Sequence, residues 1–165
     1  MRGIENRESR IVNRGSTFED LEVYQRAREF RKAMYRLARE LPDFEKFGLA
    51  SQVRRAAVSL TNNIAEGHGR FHFPDQIKFT LQARGSLEEL IDDLNVFDDE
   101  QYLVADQIVL LKEQRWRVRQ LIDGYSRYLR SQANSAKTSV REESPECGED
   151  AELEPIHDSR FNDSR

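Results

Sequence analysis

The sequence holds one cysteine, four prolines and eight glycines in 165 residues. With Cys147 alone, no disulfide can close within the chain, and a reducing cytoplasm is the expected setting. So few turn-formers argue against many short strands and favour helices joined by short loops. No apolar run approaches the roughly 18–20 residues that span a bilayer, and the stretch from Met1 to Glu8 lacks the apolar core of a secretion signal. No membrane partner is expected. Nor is there a glycine-rich phosphate loop set between a strand and a helix.

What is present is charge, at 34% of residues, with a net charge of −4. Residues 1–17 carry four bases and two acids, residues 18–132 carry 18 bases and 19 acids, and residues 133–165 carry four bases and nine acids. The acidity therefore belongs mostly to the C-terminal segment. Within the body the signs are sorted again. Arg26, Arg28, Arg31, Lys32, Arg36 and Arg39 form one basic segment, and Lys112, Arg115, Arg117, Arg119, Arg127 and Arg130 form another. Between them Glu88, Glu89, Asp92, Asp93, Asp98, Asp99 and Glu100 make an acidic stretch without a base.

Apolar residues recur at helical spacing in four blocks. The first opens at Ser16 or Thr17, each with an acid three residues on as in a capping box. It runs through Ala27, Phe30, Met34, Leu37 and Leu41 and stops at Pro42. The second starts between Phe44 and Ala50 and carries Leu49, Val53, Ala56, Leu60, Ile64 and Gly67. The glycines of Gly67-His68-Gly69-Arg70 are expected to close it in left-handed geometry. The third begins with Pro74 at the first helical position and Asp75 beside it, and uses Ile77, Leu81, Leu87, Leu90, Ile91, Leu94 and Phe97. The fourth runs from about Val104 to Arg130 on Val104, Ile108, Leu111, Val118, Ile122, Tyr125 and Leu129, interrupted by Arg115. The pattern predicts an all-α, antiparallel up-down-up-down four-helix bundle over residues 17–132. A flexible arm at 1–16 and a disordered acidic tail at 133–165 flank it, since the tail composition buries too little to offset chain entropy.

Beside the second apolar stripe lies a polar one, Gln52, Arg55, Ser59, Asn62 and Glu66, answered on the third helix by Gln82, Ser86, Glu89 and Asp93. Antiparallel pairing about His72 and Phe73 sets Arg55 near Glu89, Ser59 near Gly85 and Ser86, and Asn62 near Gln82 or Ala83. This reads as a hydrogen-bonded strip fixing register, with Gly85 at a close approach where leucine would overpack; a ligand pocket is the competing reading. Glu66, His68 and His72 suggest a metal by spacing alone. Gly67, Gly69 and Pro74 end the helix there, and no second Glu-x-x-His supplies partners. Ser59 has no histidine on its helical face, and Cys147 stands in the polar tail. No catalytic residue, metal site or cofactor is expected.

Phe18-x-x-Leu21 with Tyr24-Gln25-Arg26-Ala27, Leu41-Pro42 before Gly48-Leu49, and the run from Ser51 to Ser59 containing Arg54-Arg55-Ala56-Ala57-Val58-Ser59 form a specific set. With Asn63-Ile64-Ala65-Glu66-Gly67 and Gly85-Ser86-Leu87-Glu88-Glu89, the chain resembles the bacterial four-helix-bundle proteins first noticed in intervening sequences of large-subunit rRNA genes. The resemblance covers about residues 18–130 and implies a non-enzymatic bundle whose general role is not established. A related branch, the accessory proteins of diversity-generating retroelements, implies a pentameric barrel whose basic surface engages reverse transcriptase and nucleic acid. Tyr24 stands where the family typically has Trp.

Two functions are carried forward. One is a homo-oligomeric interaction module, a pentamer by resemblance, in which a basic face meets a neighbour's acidic face in a closed ring. The other is an accessory protein that binds nucleic acid through Arg28, Lys32, Arg36, Arg39, Arg117, Arg119, Arg127 and Arg130. Trp116 or Tyr128 would stack on a base, and the acidic tail would compete for the same patch.

Overall fold

The computed structural model describes residues 17–142, without the side chains of residues 137 and 139–142. The expected arm, the tail beyond 142 and Cys147 lie outside the described residues. Within them are four helices, α1 (Glu22–Glu40), α2 (Leu49–His68), α3 (Phe73–Asp99) and α4 (Ala105–Glu142), and no strand. Each packs on its two neighbours around the bundle, α1 on α2 and α4, α3 on α2 and α4. The backbones of the diagonal pairs, α1 with α3 and α2 with α4, stay apart. None of these helices is long and apolar enough to cross a membrane.

Local chemistry sets the helix ends. Thr17 caps a short 3-10 turn, Phe18–Asp20: its hydroxyl accepts the Glu19 amide at 3.3 Å and its own amide donates to Asp20 at 2.8 Å. Pro42 then holds Leu41 extended, so α1 ends at Glu40. Glu45 caps the start of α2 by accepting the Leu49 amide at 3.0 Å, and its other carboxylate oxygen accepts the Tyr102 hydroxyl at 3.1 Å. One side chain thus ties the α1–α2 connection to the α3–α4 connection. Gly48 lies under it, where a Cβ would come within 2.8 Å of the Glu45 carboxylate.

Four expectations are corrected here. The first helix does not open at Ser16 or Thr17: the Thr17 cap serves only the 3-10 turn, and α1 begins at Glu22 after the extended Leu21. Gly69 closes α2 in right-handed geometry, at φ −76. The one left-handed residue among those described is Gln101, at φ 56 in the α3–α4 turn. Proline stands one residue inside α3, which begins at Phe73. And α4 runs on to Glu142 instead of ending near Arg130. Residues 131–142 include Ala133, Ala136, Lys137 and Arg141 and no glycine or proline, so a helix continues although nothing there needs a core. The hydroxyls of Ser131, Ser135 and Thr138 bond back to carbonyls three or four residues earlier, at 2.8, 3.1 and 3.2 Å.

The core follows the helical stripes through Phe30, Met34, Val53, Leu60, Ile64, Leu87, Leu90, Leu94, Phe97, Val118, Ile122 and Leu129, all nearly or fully buried. Two expected members face out. Val104 precedes α4, and Leu81 points away from the core while Thr80 and Ala83 turn inward. Thr80 can be buried because its hydroxyl donates to the Gln76 carbonyl at 2.8 Å. The α2–α3 contact is the most extensive in the bundle, and small residues line it: Ala56, Ser59, Gly67, Ala83 and Ser86.

Candidate functional site

Three longitudinal grooves carry the chemistry. The first lies between α1 and α2 and is basic. Arg31, Lys32, Tyr35, Arg36 and Arg39 surround a recess of about 480 Å³ with Val58 from α2 at its side. Arg31 is held there because its guanidinium donates to the Thr61 hydroxyl at 2.8 Å, and Thr61, itself buried, donates to the Val58 carbonyl at 3.2 Å. Lys32 pairs with Glu29 at 2.8 Å, which holds the Glu29 carboxyl below its ordinary range. Arg36 and Arg39 are exposed and enter no ion pair among the described residues.

The groove between α3 and α4 is a neutralised network. Glu88 accepts from Arg115 at 2.6 Å and also from Arg119, and Arg119 donates to Asp123 at 2.9 Å. Arg84 lies 3.7 Å from Asp123. The side chains of Arg115 and Arg119 are only 20% and 19% exposed. Arg115 interrupts the apolar seam of α4 because Glu88 receives it from the facing helix. Replacing Glu88 with alanine would leave Arg115 without a carboxylate and Arg119 with Asp123 alone, and is expected to cost about 1–3 kcal/mol. A urea midpoint that does not move would show that the network contributes nothing.

The groove between α2 and α3 holds the polar stripes. Ser86 donates to Ser59 at 2.8 Å, the one cross-helix bond of the strip, and Asn63 donates to Ser59 at 3.2 Å. Gln52, Arg55, Asn62, Glu66, Gln82, Gly85 and Glu89 are all exposed. Arg55 and Glu89 do not come within ion-pairing distance, and Glu66 pairs with Arg70 of its own chain end. The expected close approach at Gly85 is also corrected: a Cβ there would meet nothing within 4 Å. Helical spacing placed both stripes on facing sides, but the α2–α3 line of contact runs through the two serines, and longer residues one turn away point outward.

About two turns along α3 from Ser86 sits Asp93, 8% exposed, with Oδ2 buried and without a hydrogen-bond partner. Burial pushes its carboxyl up to about 6 from an ordinary 3.8; the charges of Asp92 and Glu89 push the same way, and Arg55 opposes them. The sequence shows Asp93 as a member of the polar stripe, and only the packing shows that, among the described acids, it alone is inside.

The residues set down for nucleic acid do not form one surface. Arg36 and Arg39 open on the α1–α2 groove. Arg127 and Arg130 line a recess of about 420 Å³ with Leu81 and Arg84 on the α3–α4 side, across the bundle. Arg28 and Arg117 are exposed, and Arg119 is consumed by Glu88 and Asp123. Trp116 is half exposed beside Lys112 and Arg117, and Tyr128 is half exposed and stacks on Tyr125 at 6.4 Å. His68 closes α2 and His72 precedes α3, so they share no helical face. Among the described residues no three His, Cys, Asp or Glu side chains converge closely enough to hold a metal ion.

Compared with known families, residues 19–124 match the family model described as 23S rRNA-intervening sequence protein. No curated protein matches the chain.

Proposed function

The chain belongs to the 23S rRNA-intervening sequence protein family, and from that premise we propose that it works without catalysis, as a homo-oligomeric interaction module in the cytoplasm. One observation supports this most. Arg36 and Arg39, unpaired among the described residues, lie on α1, and the exposed acids Glu89 and Asp92 lie on α3, at the diagonal corner of the bundle. They cannot neutralise one another inside a subunit, so a second copy is the simplest source of the missing partner. The two faces differ, which makes the contact head-to-tail, and such contacts close into rings when the rotation permits. Five copies is the number that the resemblance to retroelement accessory proteins supplies.

Light scattering coupled to size exclusion tests it. A mass near five times 19.3 kDa, falling towards one subunit in high salt, is the expected result. A single-subunit mass at every concentration and salt would remove the reading.

A second reading is favoured by the aromatic ring of Tyr35 among the bases of the α1–α2 recess, which suits a stacked base between bound phosphates. It takes the protein as an accessory subunit for an RNA- or DNA-processing partner such as a reverse transcriptase. Single-stranded RNA whose affinity falls steeply with salt, and whose binding is lost in Arg36→Glu, would support it.

A further inference from the structure

A charge enclosed by protein is costly unless something pairs with it. Asp93 is the one carboxylate among the described residues that is nine-tenths buried, and its Oδ2 has no partner. Its surroundings worsen the imbalance. Glu89 and Asp92 stand on the same helix, and the one nearby base, Arg55 from α2, makes no ion pair with it within 4 Å. Ser59 and Ser86, the polar groups next along the groove, bond to each other instead.

We propose that the α2–α3 groove at Asp93 is a socket for a guanidinium, and that a second copy of this chain fills it with the arginines of its α1 face. The inference rests on the homo-oligomeric reading and assigns its contact. Charge complementarity selects the occupant. Arg36 and Arg39 are exposed, unpaired among the described residues and open on a recess with no carboxylate in its lining, whereas Arg31 is tied to Thr61, Lys32 to Glu29, Arg115 and Arg119 to Glu88, and the recesses of Arg117 and of Arg127 with Arg130 include Glu113 and Asp123. A guanidinium presents a planar fork that matches a carboxylate. The Asp carboxylate turns readily about its terminal torsion, so either oxygen can face the entering donor. Glu89 and Asp92 at the rim then meet the remaining positive charge of the neighbour's α1.

The socket has a pH signature. A guanidinium partner favours the ionised carboxylate, so assembly is strongest above pH 6 and weakens as Asp93 takes up a proton below it. The charged groups acting on Asp93 are Asp92 and Glu89 from its own helix and Arg55 from α2.

The test uses the full chain and its mass by light scattering. Arg36→Glu with Arg39→Glu, and separately Glu89→Arg with Asp92→Arg, alter only exposed side chains and are each expected to yield single subunits. All four changes in one chain reverse the rim contacts but set carboxylates against the unchanged Asp93, so the wild-type mass is not expected to return; full recovery would show that the rim and not Asp93 holds the neighbour. Asp93→Asn is expected to weaken assembly about tenfold or more and to abolish its loss between pH 7 and pH 5. Circular dichroism confirms that each variant keeps its helices. If the wild type assembles but Asp93→Asn and both reversal variants assemble equally well at every pH, the socket is wrong and the oligomer uses another face. If the wild type is a single subunit throughout, the homo-oligomeric reading falls and the socket with it.

Discussion

Gly67→Ala is expected to lower the stability of the bundle by about 1–3 kcal/mol, and Gly67→Leu is expected to cost more. Gly67 is buried near the end of α2, where α3 crosses closest. An added Cβ would stand 3.0 Å from the Phe79 Cβ and 3.3 Å from the Gln76 carbonyl oxygen. Neither neighbour is the loose end of a flexible side chain: one is a Cβ fixed to its helix and the other is backbone. Relief therefore requires α2 and α3 to move apart along their most extensive contact. Gly85 supplies the control. Its Cβ would meet nothing within 4 Å, so Gly85→Ala should gain about 0.5–1 kcal/mol through helix propensity alone. Chemical unfolding of the two variants measures the difference. Equal midpoints would mean that α2 and α3 are not held at this distance.

Asp93→Asn is expected to stabilise the isolated subunit at pH 7, by about 1–3 kcal/mol, since each unit of pKa displacement corresponds to roughly 1.4 kcal/mol. The sign follows from linkage. The folded carboxyl titrates at about 6 and the ordinary value is 3.8, so the folded state holds the proton more tightly than the unfolded chain does. The stabilising effect is fully present below the unfolded value and is lost as the pH rises through 6. Dilute wild-type protein should accordingly gain stability between pH 7 and pH 5, and Asp93→Asn should not. A wild type that loses stability over that interval while the variant stays level would show that Asp93 has a partner inside the subunit. Paired with the assembly measurement, the same substitution should strengthen the fold and weaken the contact, as expected of a residue kept for binding at a cost to stability.

The helices were legible because burial repeats every three to four residues. Phe30, Met34, Val53, Leu60, Leu87 and Leu94 announce their faces without reference to any partner. The capping of Thr17 by Asp20 and the stop at Pro42 were legible for the same reason: the chemistry is contained within a few residues. What stayed hidden depends on how two helices are rotated against each other. Arg55 and Asp93 sit in similar polar stripes, yet one is exposed and the other enclosed, and a rotation of the contact line decides which. Glu45 could not be read as a double anchor, because its second partner, Tyr102, is 57 residues away. The glycines of α2 misled through a competing cause. Gly67 serves close packing, and the left-handed closing geometry that glycine often signals is absent. The length of α4 is hidden because a polar composition reads as disorder, although Ala133, Ala136 and Lys137 favour a helix whether or not it is buried.

That length has a practical outcome. At 1.5 Å per residue α4 extends about 57 Å against about 40 Å for α3, and Leu129 is its last buried residue among those described. The remaining turns to Glu142 form a rod about 20 Å long. A reporter fused after Glu142 starts its path at the far end of that rod. The rod is a built-in standoff. A fluorophore placed on exposed Ser135 would report the spacing between copies without occupying either the basic recess or the Asp93 groove.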